Sequence, residues 1–297
     1  MAWIEPFFGG DNDDIIQTAL LAEHITEHKT INQEALVHLL RNRNCGIDPN
    51  IYKSQMAKLY FSEDPFYIAE DGLTDGGAMR AFPLVFFVNK PEFPYYVRAA
   101  TRITHNTPDS ILAALLIAIR YNCALNNDLN ITNFVNEFKN QALRLYNFEK
   151  CKFYFDVVDL ASTLVEENPI NTLLEIHKKV GLTHIAWGCP VAASFWAYNL
   201  ENYPQFVPNQ YDADQRYMEI NVVKFTSLLL EDKQREFYHK RLDELNELGQ
   251  GRYFGNDIDT FFHLSFSIAC AQFGLKHTLD FTLNPYYPVA QNFANLF

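Results

Sequence analysis

Nine apolar residues in unbroken succession, ILAALLIAI (residues 111–119), follow a helix start written Thr107-Pro108-Asp109. Threonine caps a helix through its hydroxyl, and proline fits the first turn, where its missing N–H is not needed. A helix that is apolar on every face gains nothing at a surface, so it must lie in a core with other elements packed all around it. The run is about half of the roughly 20 residues that a bilayer span requires, which predicts a protein interior and no membrane. The 297-residue chain, 48% hydrophobic and 15% aromatic, has the material to surround such a helix.

The surrounding elements read as helices. Apolar residues recur at helical spacing in 14–28 (Ile15, Ile16, Ala19, Leu20, Ala22, Ile25) and in 32–43 (Ala35, Leu36, Leu39, Leu40), with Gly46 as a stop. Further helices are expected at 51–61, 77–88 behind two glycines, 132–146, 156–167, 169–180, 191–200 and 257–273. The aromatic stretch CKFYFDVV (residues 151–158) is the one passable strand candidate. Residues 212–248 are more polar and amphipathic, a helical excursion within an insertion at about 204–250. No repeat and no Gly/Pro/Ser-rich linker divides the chain, so the expectation is one all-α domain over 1–297.

Charge narrows the function. A net charge of -12 argues against nucleic acid or an anionic membrane as the main partner, since both want a basic surface, and leaves room for a local basic pocket that takes a small phosphate ligand. The five cysteines, Cys45, Cys123, Cys151, Cys189 and Cys270, are scattered, odd in number and free of CxxC spacing. They read as reduced thiols in a cytoplasmic setting and argue against zinc. The opening MAWIEPFFGGDNDD lacks the basic start and apolar core of a signal peptide. Cytoplasmic residence is expected, in the protein's own cell or in a host cell after export without a cleaved signal.

Two acidic helix starts stand far apart in the chain. GGDNDD (residues 9–14) precedes IIQTALLA, and GNDIDT (residues 255–260) precedes the apolar helix near the C-terminus. Asp and Asn cap helices, but a cap needs one acceptor or two, not Asp13, Asp14, Asp257, Asp259 and the Thr260 hydroxyl together. If the two helix starts meet, their carboxylates repel, and ionised acids in a poorly hydrated place must be paired or must hold a cation. No Lys or Arg lies within six residues of Asp13 or Asp14. An all-oxygen donor set points to magnesium, calcium or manganese.

Five segments carry a family resemblance. NDDIIQTALLAE (residues 12–23) resembles the Thr-Asp-Asp-Thr helix of the ADP-ribosylglycohydrolase family, and GNDIDT resembles that family's C-terminal Gly-Gly-Asp-Thr-Asp-Thr. Between them, DGGAMRAFPL (75–84), THNTPDSILAALLIAI (104–119) and WGCPVAASFWAYNL (187–200) are similar to its Asn-Gly-x-Ala-Met-Arg stretch, its Thr-His segment with the buried helix, and its alanine-rich helix. The resemblance implies a compact orthogonal bundle of helices with one or two magnesium ions in a central cleft. It implies hydrolysis of the glycosidic bond that joins ADP-ribose to a protein side chain. By the same resemblance, Asn12, Asp13, Asp14, Asp257, Asp259 and Thr260 are the metal ligands, with Asp13 and Asp14 the catalytic pair. Asp75, Gly76, Gly77, Ala78 and Met79 fall on the loop that cradles ribose and diphosphate, and His105 lines the ADP-ribose cleft.

The chain departs from the family pattern in ways that shape the expectation. Only eleven residues precede Asn12, where the family carries a further helix and, in some members, a catalytic glutamate. A mechanism built on the paired aspartates, with arginine-linked ADP-ribose as substrate, is therefore favoured over serine-linked. Asn12 stands for a usual Thr, Asp75 for a usual Asn, and Ile15 and Ile258 for polar positions. The alternative is a degenerate member that binds ADP-ribose or a partner without turnover. An isoprenoid synthase, which also holds magnesium on buried helices, needs acids one turn apart; after Asp14 the next acid is Glu23. The expected state is a monomer acting on an ADP-ribosylated protein.

Overall fold

The computed structural model describes residues 13–43, 55–166, 172, 175, 176, 179, 180, 186–198, 258–273 and 287–297. The described helices, in chain order, are α1 (Asp13–His28), α2 (Gln33–Asn42), α3 (Gln55–Phe61), α4 (Gly76–Met79), α5 (Phe93–Thr101), α6 (Pro108–Leu125), α7 (Ile131–Leu145), α8 (Phe148–Thr163), α9 (Gly188–Trp196), α10 (Ile258–Phe273) and α11 (Tyr287–Ala294), with a 3-10 helix at Phe82–Phe87. No strand occurs among the described residues, and the fold is all-α. The insertion expected at about 204–250 lies outside the described residues.

The central helix is α6. Every residue from 111 to 119 is at most 1% exposed. It packs against α4, the 3-10 helix, α5, α7, α9 and α10, which is the enclosure its all-round apolarity demands. Thr107 caps it through Oγ1, which accepts from the Ser110 backbone N–H at 3.3 Å, and Pro108 occupies the first turn. Asn32, Asn130 and Asn147 do the same for α2, α7 and α8, accepting from Ala35, Asn133 and Lys150; each such cap contributes about 1 kcal/mol. The 18 residues of α6 make it long and apolar enough to cross a membrane by length and composition, and 78% of it is buried inside the fold. The nine-residue apolar run understated its length. The other helices cover it, and Arg120 lies within it, fully buried.

Three expectations are corrected. CKFYFDVV is part of α8 and not a strand: Cys151, Tyr154, Phe155 and Val158 are its buried residues, and that i, i+3, i+4, i+7 spacing is helical. The helix expected over 77–88 is broken in two, because Pro83 cannot continue an α-helix that began at Gly76. The helix expected over 156–167 begins eight residues earlier, at Phe148. Two helices, α5 and α11, were not expected. Pro94 sits in the first turn of α5, and α11 packs on α1.

Candidate active site

Asp14 lies in the first turn of α1, and its side chain is buried, 2% exposed. Thr260 lies in the first turn of α10 and is 3% exposed. Its Oγ1 donates to the Asp14 carboxylate, 3.1 Å from Oδ2 and 3.4 Å from Oδ1. The two acidic helix starts therefore meet, across 246 positions of sequence. Asp13 is half-buried beside them. Asn12 and Asp257 lie outside the described residues, as does the side chain of Asp259.

A polar network ties this point to the glycine loop. Asp14, Gln17 and Thr18 share one face of α1, and all three are buried. Thr18 Oγ1 lies 2.6 Å from the Asp14 carbonyl oxygen and 3.4 Å from that of Met79. Arg80, 2% exposed, donates from Nη1 to Gln17 Oε1 at 2.7 Å and from Nη2 to the Thr104 hydroxyl. Thr104 Oγ1 is 2.8 Å from His105 Nδ1, and Thr74 Oγ1 is 2.8 Å from His105 Nε2. On α10, one turn after Thr260, His263 hydrogen-bonds the Met79 backbone. The starts of α1 and α10, the segment 75–84 and the residues Thr104 and His105, separate in sequence, thus converge around α4.

The glycines of the loop have a packing reason. Both are buried. A Cβ on Gly76 would fall 2.7 Å from His105 Cε1 and 3.0 Å from Nε2, and one on Gly77 would fall 2.6 Å from Thr101 Cγ2. Gly72 has φ +128°, and a Cβ there would meet the His105 backbone at 2.6 Å. His105 is the body on which this loop is wrapped, 6% exposed and bonded at both ring nitrogens. Burial, and next to it the Arg80 charge, lower its pKa to about 3, so the ring is neutral. Asp75 precedes α4 and is 3% exposed. Its backbone carbonyl accepts from Ala78 and Met79, while its carboxylate makes no capping bond. Ala78 and Met79 are buried with the glycines.

Asp14 and Thr260 present the oxygen donors that magnesium takes, and nothing in the pair suits a soft metal. Among the described residues no group of three or more His, Cys, Asp or Glu converges to hold a metal ion; half of the expected ligand set stands outside them. Gln17, Thr18, Arg80 and Thr104 were not singled out from sequence. Polar residues three and four positions after Asp14, set inside the apolar run from Ile15 to Ala22, are the available signal.

The family model for ADP-ribosylglycohydrolase matches residues 2–209 of the chain. No curated protein matches it. The matched span holds Asp13, Asp14, the glycine loop and His105. It stops short of Thr260, whose place beside Asp14 comes from the geometry of α10.

Proposed function

The chain belongs to the ADP-ribosylglycohydrolase family, and we propose that it is a magnesium-dependent hydrolase that frees ADP-ribose from protein arginine side chains, reversing mono-ADP-ribosylation. The observation that carries the reading is the buried pairing of Asp14 with Thr260 where α1 meets α10, with the glycine loop one hydrogen bond away through Thr18 and Met79. In this reading Asn12, Asp13, Asp14, Asp257, Asp259 and Thr260 hold magnesium. When bound, the ion polarises the neighbouring ribose hydroxyls.

The chain's own groups then have definite tasks. Asp13 and Asp14 stand side by side in different surroundings, one half-buried and one buried. The more exposed carboxylate takes the proton of the attacking water, and the buried one stabilises the positive charge that builds on the ribose ring. The C1′–N bond breaks with its electron pair going to nitrogen, the water oxygen joins C1′, and the departing neutral guanidine, strongly basic, takes up the proton that the carboxylate removed from the water. Asp75, Gly76, Gly77, Ala78 and Met79 form the wall beside ribose and diphosphate, and His105 holds that wall in shape. A cytoplasmic monomer fits this role.

The test is release of ADP-ribose from arginine-, serine- and glutamate-modified proteins, with magnesium and with EDTA. The reading expects magnesium-dependent release from arginine. No release from any of the three sinks it. Ile15, buried at 4% where the family has a polar residue, motivates a second reading, in which the chain binds ADP-ribose without turnover. Calorimetric binding of ADP-ribose together with no product from any linkage would select it.

A further inference from the structure

Between α3 and α4 the chain carries a loop that exposes what most loops hide. Phe61, which ends α3, is 64% exposed, and on the loop itself Phe66 is 56% exposed, Leu73 39% and Ile68 37%. Interleaved with them stand the exposed carboxylates of Glu63, Asp64, Glu70 and Asp71. Large apolar side chains that recur along one short water-facing stretch, interleaved with charge, mark an interaction site, since each could otherwise have been polar at no cost to the core.

The loop is held, not loose. Lys58, in α3, reaches toward the loop's far half, its Nζ 3.6 Å from the Asp71 carboxylate. Gln33 Nε2 donates to the Phe66 carbonyl at 2.7 Å, and Arg41 donates to the carbonyls of Leu59 and Asp64. Farther along, Asp71, Gly72 and Leu73 offer their carbonyls to Asn106, to Thr107 and Ser110, and to Ala186. An aromatic surface fixed before its partner arrives loses little freedom on binding. Two residues after Leu73 the chain enters the candidate site at Asp75.

Pro65, on the same loop, also borders a cavity of about 510 Å³ between the end of α1 and α2. Glu27 and Glu34 line it. Among the described lining residues Arg41 is the one Lys or Arg, and it donates from Nε and Nη2 to the carbonyls of Leu59 and Asp64. His24 accepts from the Asn32 backbone and is neutral, its pKa lowered by burial to about 4. On the loop and the cavity together, the carboxylates of Glu27, Glu34, Glu63, Asp64, Glu70 and Asp71 outnumber the cations Lys58 and Arg41.

We propose that the Glu63–Leu73 side of this loop, with the cavity beside Pro65, docks a basic, aliphatic segment of the modified protein, next to the side chain that carries ADP-ribose. The occupant follows from charge: carboxylates on both the loop and the cavity suit arginine and lysine, and the exposed aromatics suit the stems and aliphatic residues between them. This rests on the hydrolase reading, and its test is built to fail separately.

Binding of a synthetic peptide that alternates arginine and leucine is measured by fluorescence anisotropy on the full chain, against the same peptide with glutamate for arginine. Phe66→Ala is the decisive variant, because a chain of net charge -12 attracts any cationic peptide and this substitution leaves the charge alone. Phe66→Ala, and separately Glu63→Lys with Glu70→Lys, should each weaken the arginine–leucine peptide about tenfold or more. Unchanged binding in Phe66→Ala, equal binding of the glutamate peptide, or self-association of the chain that Phe66→Ala abolishes overturns the proposal. In the hydrolysis arm, the same variants should raise KM for the ADP-ribosylated arginine–leucine peptide and leave free ADP-ribosyl-arginine untouched. If neither substrate is cleaved the hydrolase reading fails, while the anisotropy still decides the docking surface.

Discussion

Gly76→Ala tests whether His105 and the glycine loop are one packed unit. The new methyl would stand 2.7 Å from His105 Cε1, where ordinary contact begins at 3.4 Å, so the ring or the loop must shift by at least about 0.7 Å, as the difference 3.4 − 2.7 requires. Overpacking of that kind costs about 1–3 kcal/mol. The ring cannot move freely, because Thr74 and Thr104 hold its two nitrogens at 2.8 Å each. Stretching both bonds by the same amount forfeits about 1 kcal/mol apiece. Alanine recovers about 1 kcal/mol of helix propensity over glycine. The net expectation is a loss of about 2–4 kcal/mol, which for a chain of this size lowers Tm by about 4–8 °C. Calorimetry on Gly76→Ala, His105→Ala and the double variant reads it. Removing the imidazole gives the methyl its space, so the double variant should be more stable than the summed singles by about 1–3 kcal/mol. A Gly76→Ala protein as stable as the parent, or strict additivity, refutes the packing account.

Thr260→Val removes the hydroxyl that reaches Asp14 and should destabilise the metal-free protein by about 1.5–3 kcal/mol, the range for a hydrogen bond to a charged group, as urea titration checks. Arg80→Lys should cost about 2 kcal/mol in the same assay, because one ammonium cannot span Gln17 and Thr104 as the guanidinium fork does; a neutral result would show that the fork is not used. Burial lowers the pKa of His24 and of His263 to about 4 and that of His105 to about 3, whereas each titrates near 6.5 when unfolded. These folded-state values are depressed, so the stability they contribute is whole above pH 6.5 and is lost as pH falls toward 4. At these three sites the unfolded chain then binds up to three more protons, giving a slope of about 4 kcal/mol per pH unit around pH 5. His24→Gln, whose amide oxygen can still accept from Asn32, should cut that slope by about a third in urea titrations run from pH 7 to pH 5.

What the sequence made legible was whatever depended on local chemistry. Thr107 and Pro108 announce α6, and its apolar faces announce that it is enclosed. The paired acidic helix starts at Asp13-Asp14 and before Thr260 announce a meeting point, because their surplus of acids had no local use. What stayed hidden depended on partners far along the chain. CKFYFDVV has the aromatic and β-branched content of a strand, and only the core it faces selects the helical set Cys151, Tyr154, Phe155 and Val158. Gly76 and Gly77 read as backbone that lets a diphosphate approach, yet the first neighbours a Cβ would meet are His105 and Thr101. Arg80 and Gln17, 63 positions apart, could not be paired by spacing at all.

The most direct test of the central claim is the single-turnover rate of ADP-ribose release from arginine-modified protein at saturating magnesium, for the parent chain and for Asp14→Ala. The account predicts release by the parent, its loss with EDTA, and a fall of at least about a hundredfold in Asp14→Ala, the scale on which removing a metal-orienting or charge-stabilising group acts. A rate in Asp14→Ala equal to the parent's would contradict it.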